Sequence, residues 1–341
     1  MRIAQISPPW LSVPPKGYGG VELIVALLAD GLVERGHDVT LFATGDSITK
    51  ASLDFVFPTA PGSKAINDPR FETVHTLHAF RDTGRFDLFH VHSPYSALAV
   101  GSVLGVPVVH TIHNAFTPEM RLLYSEVEGR VWFVAISEAH RAQMPELNYA
   151  GVVYNGIDLA AYPFDGDKED FLLFLGRATQ DKGVLRAVRA AREAGMPLAL
   201  VTKIAEPAER DYWENVVVPE LGSDVTVLGE VTTDAKLQLL HEARAVLFPI
   251  DWEEPFGLVM TEAMACGTPV IATPRGSVPE IVADGETGFI VSGENYPTEA
   301  TRAIAELDQI DPAACRKRVE AMFSKEAMVE GYERIFKRVL E

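Results

Sequence analysis

The chain has 341 residues, with 48 Asp plus Glu against 30 Lys plus Arg, a net charge of -18 at pH 7 and 47% apolar residues. At roughly 150 residues per domain, that length suits two α/β domains better than one core, and the composition is that of a chain that folds throughout. The acidic balance argues against general attraction to nucleic acid or anionic membranes, which need clustered Lys and Arg.

The start, Met1-Arg2-Ile3-Ala4-Gln5-Ile6, runs straight into Pro8 and Pro9, which leaves no apolar stretch for a signal peptide. No later apolar run approaches the roughly 20 residues of a membrane span. Cys266 and Cys315 form neither a disulfide framework nor a metal knuckle, and a cytoplasmic location is expected.

Short apolar or β-branched runs at residues 3–6, 39–43, 86–91, 106–112 and 131–136 alternate with amphipathic segments such as 21–35. That alternation predicts βαβ units on a parallel sheet. A second series covers 171–175, 185–194, 198–201, 225–228, 235–243, 245–249, 258–265, 269–272 and 288–291. The fold class is therefore α/β with two consecutive Rossmann-like domains, at residues 1–160 and 161–324. The breaker-rich Tyr162-Pro163-Phe164-Asp165-Gly166-Asp167 places the hinge near 156–168. A last helix at about 325–341 is expected to pack back on the first domain.

Several segments carry chemistry. In Gly17-Tyr18-Gly19-Gly20-Val21-Glu22, glycines let backbone approach a phosphate and a helix begins at Val21, although such a run is also a common plain turn. His90-x-His92 and His110-x-x-His113 invite a metal assignment, but no carboxylate or cysteine stands at a zinc-site spacing, so no metal is expected. Arg177 lies just past a buried strand and Lys182 at the start of the next helix, in the strand-end crevice where open α/β sheets bind ligands. Two cations there suit a diphosphate and stabilise it as a leaving group; a surface cation pair capping carbonyls is the plainer alternative. Lys203 ends the next strand, as a further phosphate or base contact or as a cap on the crevice.

In Phe248-Pro249-Ile250-Asp251-Trp252-Glu253-Glu254-Pro255-Phe256-Gly257-Leu258, a strand ends, a turn follows and a helix starts near Gly257. The N–H groups of Phe256, Gly257 and Leu258 should face the interdomain cleft as an anion or hydroxyl site. Glu254 and Glu262 lie at different depths along one elongated ligand, where carboxylates accept bonds from sugar and ribose hydroxyls. Alternatively, Glu254 serves the helix dipole and Glu262 is a solvated helix residue.

Gly176-Arg177-x₄-Lys182-Gly183 followed by Glu254-x₇-Glu262 resembles the retaining glycosyltransferases of family 4. The resemblance extends through Cys266-Gly267-Thr268-Pro269, Gly276-Ser277-Val278-Pro279-Glu280 and Gly285-Glu286-Thr287-Gly288 over essentially the whole second domain. In the first domain it rests on the glycine loop, His113, Ser137-Glu138 and Asn155-Gly156-Ile157-Asp158. It implies a GT-B fold, with the two sheets facing across a cleft. It also implies that Arg177 and Lys182 hold the donor diphosphate, Glu254 binds the transferred sugar and Glu262 the ribose. Phe256, Gly257 and Leu258 would complete the site, Gly19 and Gly20 would close over it, and His113 would hydrogen-bond the donor sugar. The base would rest near Gly229-Glu230-Val231.

The implied activity is metal-independent, retaining transfer of a hexose from a nucleotide diphosphate-sugar to a hydroxyl acceptor, with no cofactor. The acceptor is unidentified; without a basic amphipathic segment, a soluble one is favoured. Its contacts should come from residues 8–18, 59–71 and 115–124. A nucleotide-sugar epimerase would need first-domain carboxylates facing the sugar, and Glu119, Glu126 and Glu128 look like helix surface. A non-catalytic nucleotide-sugar-binding subunit would be expected to lack Arg177, Lys182 or Glu254, and all three are present.

Overall fold

The computed structural model describes every residue except Tyr18, Ser63, Lys64, Asn67 and Pro94. Tyr18 of the glycine loop, and three positions of the 59–71 segment, thus lie outside the described residues. The first half contains β1 (Arg2–Ile6), α1 (Gly20–Glu34), β2 (Asp38–Phe42), β3 (Ser52–Asp54), α2 (Pro69–Ala79), β4 (Leu88–Val91) and α3 (Ser96–Val103). It continues with β5 (Val108–Thr111), α4 (Pro118–Val127), β6 (Trp132–Ala135), α5 (Glu138–Ala142) and β7 (Tyr149–Val152). The second half begins with β8 (Leu172–Arg177), α6 (Val184–Ala194), β9 (Leu198–Lys203), α7 (Pro207–Tyr212), β10 (Val225–Val227), α8 (Thr233–Glu242) and β11 (Ala245–Phe248). It ends with α9 (Leu258–Ala265), β12 (Val270–Ala272), α10 (Val278–Ile281), β13 (Gly288–Ile290), α11 (Tyr296–Ala305), α12 (Pro312–Met322) and α13 (Lys325–Leu340).

Two sheets result, ordered β3-β2-β1-β4-β5-β6-β7 and β10-β9-β8-β11-β12-β13, and every pairing within them is parallel. Parallel strands covered on both faces read as continuous apolar runs rather than alternating ones. Thus Leu88, Phe89 and Val91 of β4 are fully buried, as are Leu172 and Leu173 of β8. β5 is shorter than the 106–112 run predicts because Pro107 has no N–H to give the ladder. In both sheets the strand order reverses once, between β1 and β4 and between β8 and β11. The carboxyl ends of those pairs are the positions where this architecture places its ligands.

The chain divides into two compact units, Met1–Ile157 with Ser324–Glu341, and Asp158–Phe323. α13 belongs to the first unit and packs against α1. Its Tyr332 is wholly buried and shares a hydrogen bond of 2.9 Å with Thr111 on β5. Its Glu333 accepts from Arg35 and pairs with His37, each at 2.7 Å. The Glu333 and His37 side chains retain only 10% and 12% exposure, so removing the carboxylate leaves His37 without its partner away from bulk water, while Arg35, 47% exposed, turns to solvent. Glu333→Ala is expected to destabilise the first unit by about 1–3 kcal/mol, between a surface pair and a buried one. Guanidinium unfolding checks this, with Glu333→Gln expected to lose less.

Candidate functional site

In the second unit, three loops converge at the carboxyl ends of β8, β11 and β12. Gly183 caps α6 in a left-handed conformation (φ 76). A Cβ there would stand 2.1 Å from the Pro249 carbonyl oxygen, so only glycine permits the β8–α6 loop to reach the end of β11. The N–H of Asp251 donates to the Asp181 carbonyl at 2.7 Å, tying the same loops together. From the other side, a Cβ on Gly276 would stand 2.2 Å from the Glu254 carbonyl oxygen. There the Ser277 N–H donates to Glu254 O at 3.0 Å and its hydroxyl to Phe256 O at 2.6 Å. The Gly276-Ser277 motif therefore acts as a buttress for residues 254–256.

This convergence places Lys182 against Glu254, Nζ to Oε2 at 2.6 Å, although 72 positions separate them. Glu254 keeps 8% exposure. The Lys182 ammonium also lies 4.4 Å from the centroid of the Trp252 ring, a cation–π arrangement. Arg177, the last residue of β8, donates Nε to Glu209 and Nη2 to Glu206, the latter at 2.8 Å. Burial works against the Arg177 charge, but these two carboxylates hold its pKa above the usual value. Glu209 is itself buried, yet N–H groups of Ala205 and Glu206 and the Arg177 guanidinium hold its pKa below the ordinary carboxylate value.

Arg177 and Lys203 are paired neighbours at the ends of β8 and β9. Lys203 lies 3.4 Å from Glu230, and Val231 follows in the half-buried loop leading to α8. Gly257 (φ 80) caps α9, whose first N–H groups, including that of Leu258, have no acceptor within the helix; Phe256 just before it is buried. Glu262, on α9, is buried rather than solvated. Its Oε1 accepts from Lys236 Nζ at 2.7 Å and from the Tyr162 hydroxyl at 3.0 Å. Burial, with Glu262 beside it, pushes the Tyr162 pKa up.

In the first unit, Gly19 caps α1 and Gly20 opens it. Glu22, in the first turn, is buried, and burial raises its pKa. His113 follows β5 and its Nε2 lies 2.8 Å from His92 Nδ1. Among the described residues, no group of three or more His, Cys, Asp or Glu side chains is arranged to hold a metal ion. No helix among them is long and apolar enough to cross a membrane.

Residues 162–321 match the family model for glycosyl transferases group 1, and residues 18–161 that for glycosyltransferase family 4. The crystal structure of AviGT4, a glycosyltransferase involved in avilamycin A biosynthesis, is 30% identical with TM-score 0.77, covering 99% of this chain and 98% of that one. The chain belongs to the family 4, group 1 glycosyltransferases. A phosphatidyl-myo-inositol mannosyltransferase of Mycolicibacterium smegmatis is 29% identical over 90% of this chain and 85% of its own length. HepE of Anabaena, in complex with UDP-glucose, shares the fold at 18% identity, with TM-score 0.73 and coverage of 99% and 100%. This glycosyltransferase has the GT-B fold.

Sequence reasoning about this glycosyltransferase did not find the partners: Glu206 and Glu209 on Arg177, Trp252 on Lys182, Lys236 and Tyr162 on Glu262, and His92 on His113. Only Glu206-Pro207-Ala208-Glu209 carried a readable signal, since that spacing forms a capping box at the start of α7.

The first unit also buries several uncharged histidines, with His113 half-buried beside them. Burial depresses His75, His110 and His140 to about 4 and His113 to about 3, and takes His90 and His92 well below the usual value. Unfolded histidines bind protons near pH 6.5 and these folded ones do not, so stability is full above that pH and falls as acid is added. Between pH 7.5 and 5.5 the loss should reach about 1 kcal/mol per such histidine. Unfolding titrations at the two pH values measure it; equal stabilities would contradict neutral burial.

Proposed function

We propose that this glycosyltransferase moves a hexose from a nucleoside diphosphate-sugar to a hydroxyl acceptor with retention of anomeric configuration. The observation that carries the reading is the ion pair of Lys182 with Glu254 where the strand order reverses, with Arg177 at the end of β8, one of the two strands that flank the reversal. In this reading Arg177 and Lys182 hold the diphosphate. Glu254 then accepts hydrogen bonds from the transferred sugar, and Glu262, held by Lys236 and Tyr162, accepts from the ribose through its second oxygen. Phe256, Gly257 and Leu258 contribute backbone groups, Lys203 and Val231 flank the nucleotide, and Gly19, Gly20 and His113 are assigned to the donor as well.

The acceptor oxygen bonds to the anomeric carbon as the bond from that carbon to the β-phosphate oxygen breaks. The acceptor proton passes to the departing diphosphate, on the face the acceptor approaches, which gives retention without a protein nucleophile. Positive charge from Arg177 and Lys182 stabilises the leaving group, so the scheme requires no metal ion or cofactor. The protein's remaining tasks are orientation and exclusion of water.

An epimerase reading finds no support, since Glu119, Glu126 and Glu128 are exposed. A non-catalytic nucleotide-sugar-binding subunit would be expected to lack Arg177, Lys182 or Glu254, and all three are present, with Lys182 and Glu254 paired. The mannosyltransferase relative and HepE, solved with UDP-glucose, are consistent with a nucleotide-linked hexose as donor. We place the enzyme in the cytoplasm and favour a soluble acceptor, given the net charge of -18.

Calorimetric titration of EDTA-treated protein with UDP, GDP, ADP and TDP tests the site. One nucleotide should bind, and Arg177→Ala should weaken it by at least tenfold. Equal binding by the variant, or none by the native protein, overturns the assignment. Once donor and acceptor are known, the anomeric coupling constant of the first-formed product should match that of the donor; inversion would refute the retaining scheme.

A further inference from the structure

Four aromatic groups in the first unit stand in a hydrogen-bonded and stacked series that ends on His113. The His90 ring, fully buried, lies 4.8 Å from the ring of Tyr332 and 4.2 Å from that of His92. Its Nε2 is 2.8 Å from Thr111 Oγ1, which in turn is 2.9 Å from the Tyr332 hydroxyl. The His92 ring stacks on His113 with centroids 5.2 Å apart and planes 25° apart, and its backbone N–H donates to Ile6 O at 3.0 Å. The imidazole of His92 is therefore held between the rings of His90 and His113, with 2% exposure.

His92 Nδ1 and His113 Nε2 are 2.8 Å apart and share one proton. A neutral imidazole carries a single N–H, so its place on one ring dictates its place on the other. His92 Nε2 is buried and has no hydrogen-bond partner among the described residues. An orphaned buried N–H is rarer and more costly than an orphaned acceptor. The proton of His92 therefore belongs on Nδ1, where it has an acceptor. His113 Nε2 then accepts, and the His113 proton must reside on Nδ1. Burial keeps both rings uncharged, so a second proton does not remove the distinction.

We propose that His92 is a positioning residue for His113. By donating from Nδ1 to His113 Nε2, it locks His113 as the Nδ1–H tautomer, so that His113 meets its ligand as a hydrogen-bond donor. The second ring nitrogen of His113 is engaged, which bars it from removing a proton through Nε2. The group facing His113 must accordingly be an acceptor oxygen. A partner that fixes the tautomer and orientation of a working histidine is a recurrent device in protein sites. The role for His113 toward a sugar oxygen rests on the function proposed above; the tautomer assignment does not.

Histidine-selective ¹⁵N labelling and long-range ¹H–¹⁵N correlation read the tautomer in the native protein, with His113 signals identified by their loss in His113→Gln. The expected result is a protonated Nδ1 and an unprotonated Nε2 on both His92 and His113. A protonated Nε2 on His113 overturns the proposal. His92→Asp offers only an acceptor at the place of Nδ1 and should put a proton on His113 Nε2. His92→Asn, whose amide can occupy the place of Nδ1, should restore the Nδ1–H form. A His113 Nε2 that stays unprotonated in His92→Asp contradicts the positioning role even if the native assignment holds. No sugar nucleotide enters these spectra, so failure of the donor-site reading and failure of this inference are separable.

Discussion

The second unit depends on one constraint, that three loops from different strands meet backbone to backbone at the carboxyl end of a parallel sheet. A Cβ at Gly183 or Gly276 would stand 2.1 Å and 2.2 Å from carbonyl oxygens of the loop after β11. Because those side chains are absent, the β8–α6 loop delivers Lys182 to Glu254, and the loop after β12 holds Glu254 from behind. The pair does not depend on long flexible side chains finding each other across solvent. Its geometry is set by main-chain packing, which is how a site gains precision without help from its ligand.

The same packing determines what a ligand must do. Despite the net charge of -18, the site region carries Arg177, Lys182, Lys203 and Lys236, and each has an acidic partner within 3.4 Å. On the function proposed above, a diphosphate would enter a neutralised cluster and would have to share or displace carboxylates that already satisfy these cations. Glu209 is held by two N–H groups of its own loop and would stay in place if Arg177 turned to a phosphate. Glu254 has Lys182 for a partner, and losing that bond to a phosphate would free its oxygen for a hydroxyl. Binding of phosphate and of sugar are on this view linked through a single ion pair.

The alternation of apolar and amphipathic runs made both parallel sheets legible, because strands such as Leu88–Val91 and Leu172–Arg177 are nearly continuous in apolar residues. Three-residue β3 and the glycine-containing β7 offered no such run and went unread. At the site, Gly276-Ser277 was visible as a motif while its purpose was not, since the glycine matters only for the backbone it abuts. Glu254 was legible as a carboxylate at the entry to a helix and Glu262 as one more than a turn further on. Their partners were not: Tyr162 lies 100 positions from Glu262, and Lys182 was assigned to phosphate alone. His92 and His113 sit just past two adjacent strands, β4 and β5. Only the register of those strands reveals that the rings stack.

The account turns on main-chain packing as the cause of the Lys182–Glu254 site, and Gly276→Ala tests that most directly. The measurement is the affinity of the variant for the nucleotide-sugar that the native protein binds, with circular dichroism to show that both are folded. A folded variant whose affinity falls at least tenfold, while Gly84→Ala in an exposed turn, where a Cβ meets nothing closer than 3.8 Å, leaves it unchanged, is the predicted result. A folded Gly276→Ala protein that binds as tightly as the native one would show that the site does not depend on the loops that build it here.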